Sequence, residues 1–140
     1  MNDLEYLKKL TQELNEGLQN NIYESPLFEM LTYYFNTINT RIVILDRNKV
    51  GVFINKYGLK KFKELGFDGT QLIGKKCPPN FCPLYGDKCP HTQCVKTKKV
   101  VTRCDVDCPL PNTKERHHIT CIPLKYNGVS AVVEIWTEVP

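Results

Sequence analysis

Leucine recurs at Leu4, Leu7, Leu14 and Leu18, with Thr11 in the remaining heptad slot. That spacing predicts an amphipathic helix over residues 4–18 with a coiled-coil-like seam of about two heptads, marginal in isolation. Gly17 and the Asn20-Asn21 pair mark its end. A second helix is expected from Ser25, a good N-cap, with Pro26 at the first helical position. Leu27, Met30, Leu31, Tyr34 and Ile38 then repeat at helical spacing and give it one apolar face. Two readings stay open: these helices pack on their own domain, or they pair with a second copy of the chain.

From Arg41 the period changes. Arg41-Ile42-Val43-Ile44-Leu45 is a short, largely β-branched run closed by the turn signal Asp46-Arg47-Asn48, and Val50-Gly51-Val52-Phe53-Ile54 follows. Together they predict a β-hairpin. Asn55 is placed to cap a helix carrying Tyr57, Leu59, Phe62 and Leu65, with Gly66 at its end. Thr70-Gln71-Leu72-Ile73-Gly74 reads as a short turn or helix.

Residues 75–94 differ in kind. Pro78, Pro79, Pro83 and Pro90 interrupt them and apolar periodicity is slight, which predicts irregular backbone. An irregular segment of this length inside a compact domain needs something to hold it. Pro90 is placed to open a helix running to about Lys98. Beyond it, Val100 to Val106 reads as a strand, and a polar loop with Pro109 and Pro111 follows. His117 to Tyr126 and Val129 to Val139 then flank Asn127-Gly128, a strong two-residue hairpin signal. The order predicts an α+β fold: a five-stranded antiparallel sheet with helices on one face, preceded by N-terminal helices. The division expected is an N-terminal helical segment, 1–39, and a domain, 40–140, with a cysteine-rich insertion at 75–94.

The 140-residue length suits one compact domain, and 41% hydrophobic with 24% charged residues is ordinary for a soluble globular chain. No apolar run approaches the roughly 18 residues of a membrane span. Met1-Asn2-Asp3-Leu4-Glu5 lacks the basic-then-apolar order of a signal peptide, so a cytoplasmic location is expected. Cysteine changes the picture. All seven cysteines fall between Cys77 and Cys121. In a reducing compartment such thiols are metal ligands, redox switches or small core residues rather than structural disulfides.

Several stretches resemble PAS sensor domains. Arg41 to Asn48 resembles their first strand and turn, and Val52-Phe53-Ile54-Asn55 their second strand entering a helix. Leu72-Ile73-Gly74-Lys75 resembles a recurring leucine-isoleucine-glycine-lysine step. Thr97-Lys98-Lys99-Val100-Val101 resembles the helix-to-strand step, where glycine commonly stands at the position of Lys98. Cys121 to Gly128 resembles the proline-leucine strand and hairpin, and Glu134-Ile135-Trp136-Thr137-Glu138 the last strand leading out. A subset of these domains carries cysteines after the glycine-lysine step and before the next helix, which Cys77, Cys82, Cys89 and Cys94 resemble. Four residues separate Cys89 from Cys94 here, where two is the commoner number. The resemblance implies a non-enzymatic sensory module that binds a small molecule or metal centre, or dimerises, and signals to an output domain. No output domain follows in this sequence, so a stand-alone module or a piece of a larger sensor is expected.

Cys77, Cys82, Cys89 and Cys94, four thiols within 18 residues, are a candidate metal set. Tetrahedral zinc would staple the segment; an iron–sulfur cluster would use the same thiolates and add redox or oxygen sensitivity. Lys75, Lys76, Lys88 and Lys96 would offset the negative charge of either. A reversible disulfide such as Cys82–Cys89 competes with metal, as does inert packing. Cysteine catalysis with His91 lacks a third orienting group. Cys104 and Cys121 are expected in the core, Cys108 in an exposed loop, and Trp136 in packing. His117 and His118 should point to opposite sheet faces, with a solvated pair as the plainer reading. The first functional expectation is a sensory module signalling through a homodimer of its N-terminal helices. The second, resting on the +4 net charge, is a metal-stapled nucleic-acid-binding module. Against it, aromatic residues do not alternate with basic ones as a stacking platform requires.

Overall fold

The structure, a computed structural model, describes residues 2–9, 26–76, 89–107, 116–125 and 129–138. The chain divides into two compact units, Met1–Thr37 and Ile38–Pro140.

In the first unit, residues 3–9 form helix α1. The Asn2 side chain caps it by accepting from the Glu5 amide at 2.8 Å, which satisfies one of the amides a helix start leaves open. The remainder of the leucine seam lies outside the described residues. Helix α2 (Pro26–Phe35) opens on the expected proline; Ser25 is not described. It stops short of Ile38, which the apolar spacing had included. The Thr37 amide and hydroxyl both donate to the Tyr34 carbonyl, at 2.9 and 2.6 Å, and so close the last turn. Leu4, Leu7, Met30, Tyr33 and Tyr34 are exposed.

The second unit runs β1 (Arg41–Asp46), β2 (Gly51–Ile54), α3 (Lys56–Glu64), a 3-10 turn (Gly69–Leu72), α4 (Pro90–Thr97), β3 (Val101–Asp107), β4 (Arg116–Lys125) and β5 (Val129–Glu138). The five strands form one sheet in the order β2-β1-β5-β4-β3, and each neighbouring pair is antiparallel. First and last strands therefore meet at the centre of the sheet. The β4–β5 pairing expected around Asn127-Gly128 is present from His117↔Glu138 to Lys125↔Val129; residues 126–128 are not described.

Register assigns the faces, because side chains alternate along a strand. Val43 on β1 and Cys121 on β4 both sit opposite Glu134 of β5, and Arg41 and Ile119 both sit opposite Trp136. These residues share one face with Val132. Helices α3 and α4 cover that face: Phe62 packs with Val43 and Ile54, and Cys94 packs with Ile119, Cys121 and Val132. Arg103 of β3 donates to Gln93 of α4 as a further tie.

Asn55 fixes where the sheet hands over to α3. Its Oδ1 accepts from the Gly58 amide at 2.9 Å, capping the helix as the sequence predicts. The same oxygen accepts from the Ile42 amide at 3.0 Å, and Nδ2 donates to the carbonyls of Thr40 at 2.7 Å and Ile38 at 3.3 Å. One fully buried side chain thus ties the start of β1 to the start of α3.

Candidate functional site

Two distant segments are fastened to the β1–β2 turn. Asp46 Oδ1 accepts from the amides of Asn48 and Val50, at 2.8 and 2.9 Å, a side-chain turn of the kind aspartate favours. Just beyond it, the Gly51 amide donates to Lys75 O at 3.1 Å and Gly51 O accepts from the Gly74 amide at 2.8 Å. Val50 bridges Lys76 and Gly51 bridges Ile73. Glycine is required at position 51, since a Cβ there would overlap the Leu72 carbonyl oxygen. The chain entering the cysteine-rich segment is thereby pinned beside the turn.

The chain leaving that segment is pinned to the same turn. His91 Nε2 lies 2.7 Å from the Asp46 carbonyl oxygen. A carbonyl only accepts, so Nε2 carries the hydrogen and Nδ1 the lone pair. The ring is 1% exposed, and Nδ1 has no hydrogen-bond partner among the described residues. Burial holds the imidazole below its ordinary pKa; the Asp46 hydrogen bond opposes this and the charge of Lys49 adds to it.

Of the four candidate ligands, Cys77 and Cys82 lie outside the described residues, as does Cys108. Cys89 is the N-cap residue of α4, half-buried, with Pro90 following it. Cys94 is fully buried in the core, and its thiol donates to the Cys121 carbonyl at 3.6 Å. Among the described residues no three His, Cys, Asp or Glu side chains come together as a metal site. Cys104 falls in β3, and Cys121 is a core residue as expected.

The covered sheet face carries a polar group that the sequence reading missed. Glu134 is 7% exposed. It accepts from Trp136 Nε1 at 3.2 Å and from the Cys121 thiol at 3.8 Å. Burial pushes its carboxyl up to about 7, against the opposing effect of those two hydrogen bonds and of Lys49. The Cys121 thiol is pushed far above the ordinary range, by burial first, then by Glu134, Cys94 and Cys89. Three thiols and a carboxyl therefore share one electrostatic neighbourhood. Arg41, also buried, stacks its guanidinium over Phe62 at 4.9 Å and Trp136 at 5.7 Å, with Nη2 3.9 Å from Glu138. His117 corrects one expectation. The two histidines do alternate faces, but His117 is fully buried rather than solvated, its ring 5.7 Å from that of Trp136. The available signal was phase: Arg41, His117 and Glu134 alternate in step with Val43, Ile119 and Val132, all on the covered side.

No family model matches the sequence, and no curated protein sequence matches it. Solved structures do. The fold is similar to the PAS domain of nitrogen regulation protein NR(II) from Vibrio parahaemolyticus, with a TM-score of 0.59, 12% identity, and coverage of 79% of this chain and 98% of that one. It is similar to the PAS domain of the fruit-fly ELK potassium channel, with a TM-score of 0.60, 12% identity, and coverage of 80% and 96%. A sensory box sensor histidine kinase from Vibrio cholerae gives a TM-score of 0.55, 18% identity, and coverage of 81% and 91%. With its five antiparallel strands in the order described and its helices laid over one face, the chain adopts the PAS fold.

Proposed function

We propose that the chain is a sensory module of signal transduction that takes its input at a metal centre held by the cysteine-rich segment. Cys77, Cys82, Cys89 and Cys94 are the candidate thiolates. One observation carries the reading: Lys76 and His91, which flank the segment's first and third cysteines, are both fastened to the Asp46–Val50 turn. The two ends of the segment meet at one place, so a metal bound between them would close a short loop against the sheet rather than gather a distant one. The centre would be a folding staple if zinc and a redox or gas input if an iron–sulfur cluster. The turn directly follows β1, which pairs with the final strand β5. That gives the input a route toward the end of the sheet. The exposed Leu4, Leu7, Met30, Tyr33 and Tyr34 support output through a homodimer of the N-terminal helices, acting on a partner or output domain. No helix among the described residues is long and apolar enough to cross a membrane.

A thiol switch is the second reading, favoured by the shared neighbourhood of Cys89, Cys94 and Cys121. The raised thiol pKa of Cys121 works against it, because the thiolate is the reactive form.

Metal analysis and a visible spectrum on protein purified without oxygen test the proposal. Stoichiometric iron with a broad band near roughly 400 nm identifies a cluster, and stoichiometric colourless zinc identifies a staple. Protein that holds neither metal, even after anaerobic reconstitution, overturns the metal reading. Sedimentation of the same sample reads the dimer.

A further inference from the structure

We propose that Glu134 is a proton-responsive switch built into the covered face of the sheet, and that its ionisation loosens α4 from β4 and β5. The switch goes beyond the metal reading and needs no metal. The carboxyl is held between two side chains. Oε1 accepts from Trp136 Nε1 at 3.2 Å, and Oε2 lies 3.8 Å from Cys121 Sγ. Cys121 is fully buried and Glu134 almost so. With the carboxyl ionised, the thiol donates to Oε2; with it protonated, Oε2–H can donate to the sulfur instead. One proton thus reverses the direction of the thiol bond. Its loss also turns the indole bond into a charge-assisted one.

The elements packed around the carboxyl favour the proton. From α4 come the Cys94 thiol, which donates to the Cys121 carbonyl, and His91, whose Nε2–H is given to the Asp46 carbonyl. Cys89, at the N-cap of α4, acts on the same thiol neighbourhood. From β1, the Arg41 guanidinium stacks over Phe62 and Trp136 and reaches toward Glu138, which Lys61 of α3 also pairs. On β4, the His117 ring stands beside Trp136. Lys49 on the β1–β2 turn is the cation that draws Glu134 toward the charged form, and its pull ranks below burial and both hydrogen bonds. Burial prevails and brings the carboxyl to about 7. The protonated form therefore holds at acid pH, and the native state gives up the proton as pH rises through neutrality. A carboxylate left there is short of water. Strand β5 is held on both sides by ladders to β1 and β4, whereas α4 is attached by packing of Cys94 on Ile119, Cys121 and Val132 and by the Arg103–Gln93 tie. The helix is the part that gives, by a local opening that admits water to the carboxylate.

Trp136 is the single tryptophan of the chain, so its fluorescence reads the site directly. The test follows that emission and the amide exchange of α4 in the full chain across neutral pH. A one-proton transition centred at about 7 is expected in the parent. It should be absent in Glu134→Gln, which stays neutral and can still accept from the indole. Through the same transition, exchange within α4, corrected for its intrinsic pH dependence, should quicken in the parent and stay level in Glu134→Gln. A transition that persists in Glu134→Gln and disappears in His117→Gln assigns the titration to the imidazole and overturns the proposal. A parent with no transition overturns it, and so does a transition with no response in α4. Infrared spectra of the parent keep the test decisive should either variant fail to fold. The carbonyl band of a protonated carboxyl should be present below the transition and lost above it, and its absence below the transition also overturns the proposal.

Discussion

Glu134 lies between Val132 and Trp136 on the covered face of β5, where ionisation would place a charge away from water. Its pKa is raised to about 7 from an ordinary 4.5. The native state therefore keeps a proton that the unfolded chain releases between those values. Stability from the neutral carboxyl is complete below about pH 4.5 and is lost as pH rises toward 7, in total about 3 kcal/mol. Glu134→Gln is neutral at every pH. Its unfolding free energy relative to the parent should shift in its favour by about 3 kcal/mol between pH 4.5 and 8, read by urea titrations at the two limits. Parallel pH profiles would mean that the carboxyl ionises freely in the fold. Asn55 gives a second test at this scale. Asn55→Ala leaves two amides and two carbonyls without their side-chain partner. A loss of about 3 kcal/mol is expected in the same titration; a loss below about 1 kcal/mol would show that water replaces the side chain. Alternation could place position 134 on the inner face, but a glutamate in a strand pattern is ordinarily read as a surface residue. Its neighbours Cys121 and Trp136 become partners only once β4 and β5 are in register. That is why the cap at Asn55 was legible and the carboxyl at Glu134 was not.

At the scale of elements, local chemistry was a good guide wherever one residue decides the backbone. Pro90 does open α4, the β-branched run from Arg41 is β1, and Asp46 does organise the turn after it. The end of α2 was misread because apolar spacing continued to Ile38, while the turn was closed earlier by Thr37. Helix α4 ends with Lys98 in the left-handed region, at φ 59. A side chain with a Cβ is disfavoured there by about 1–2 kcal/mol relative to glycine. Lys98→Gly should therefore raise stability by about 1 kcal/mol, part of the gain being offset by the larger freedom of the unfolded glycine chain. A thermal midpoint that falls would show the lysine side chain to have a role in the fold. Gly51→Ala tests the seam between β2 and the 3-10 turn. The overlap with the Leu72 carbonyl must be relieved by backbone movement, so a loss of about 2 kcal/mol or more is expected. The Gly74 amide, which donates to Gly51, should show the largest local rise in hydrogen exchange.

Across the whole molecule, sequence order carried the fold, because consecutive helices and strands in this succession have few ways to make one antiparallel sheet. It did not carry the meeting of His91 with Asp46, two residues 45 positions apart whose contact exists only after α4 has docked on the sheet. If the proposed metal centre forms, that contact would set its molecular consequence. Val50, Gly51 and Gly74 hold the entering chain, His91 holds the leaving one, and both groups act on the β1–β2 turn. A centre bound between them adds its free energy to the native state alone. At free metal of about 100 times the dissociation constant this is about 2.7 kcal/mol, or about 10 °C in the midpoint of a chain this size. Stripping the metal with a chelator should lower the midpoint by that amount. Amide exchange should quicken first at Gly51 and Gly74, while the central β4–β5 amides change only with the global unfolding equilibrium. If metal release is measured but neither the midpoint nor those two amides respond, the centre is not held at the turn, and the route from the cysteine-rich segment through β1 to β5 fails with it.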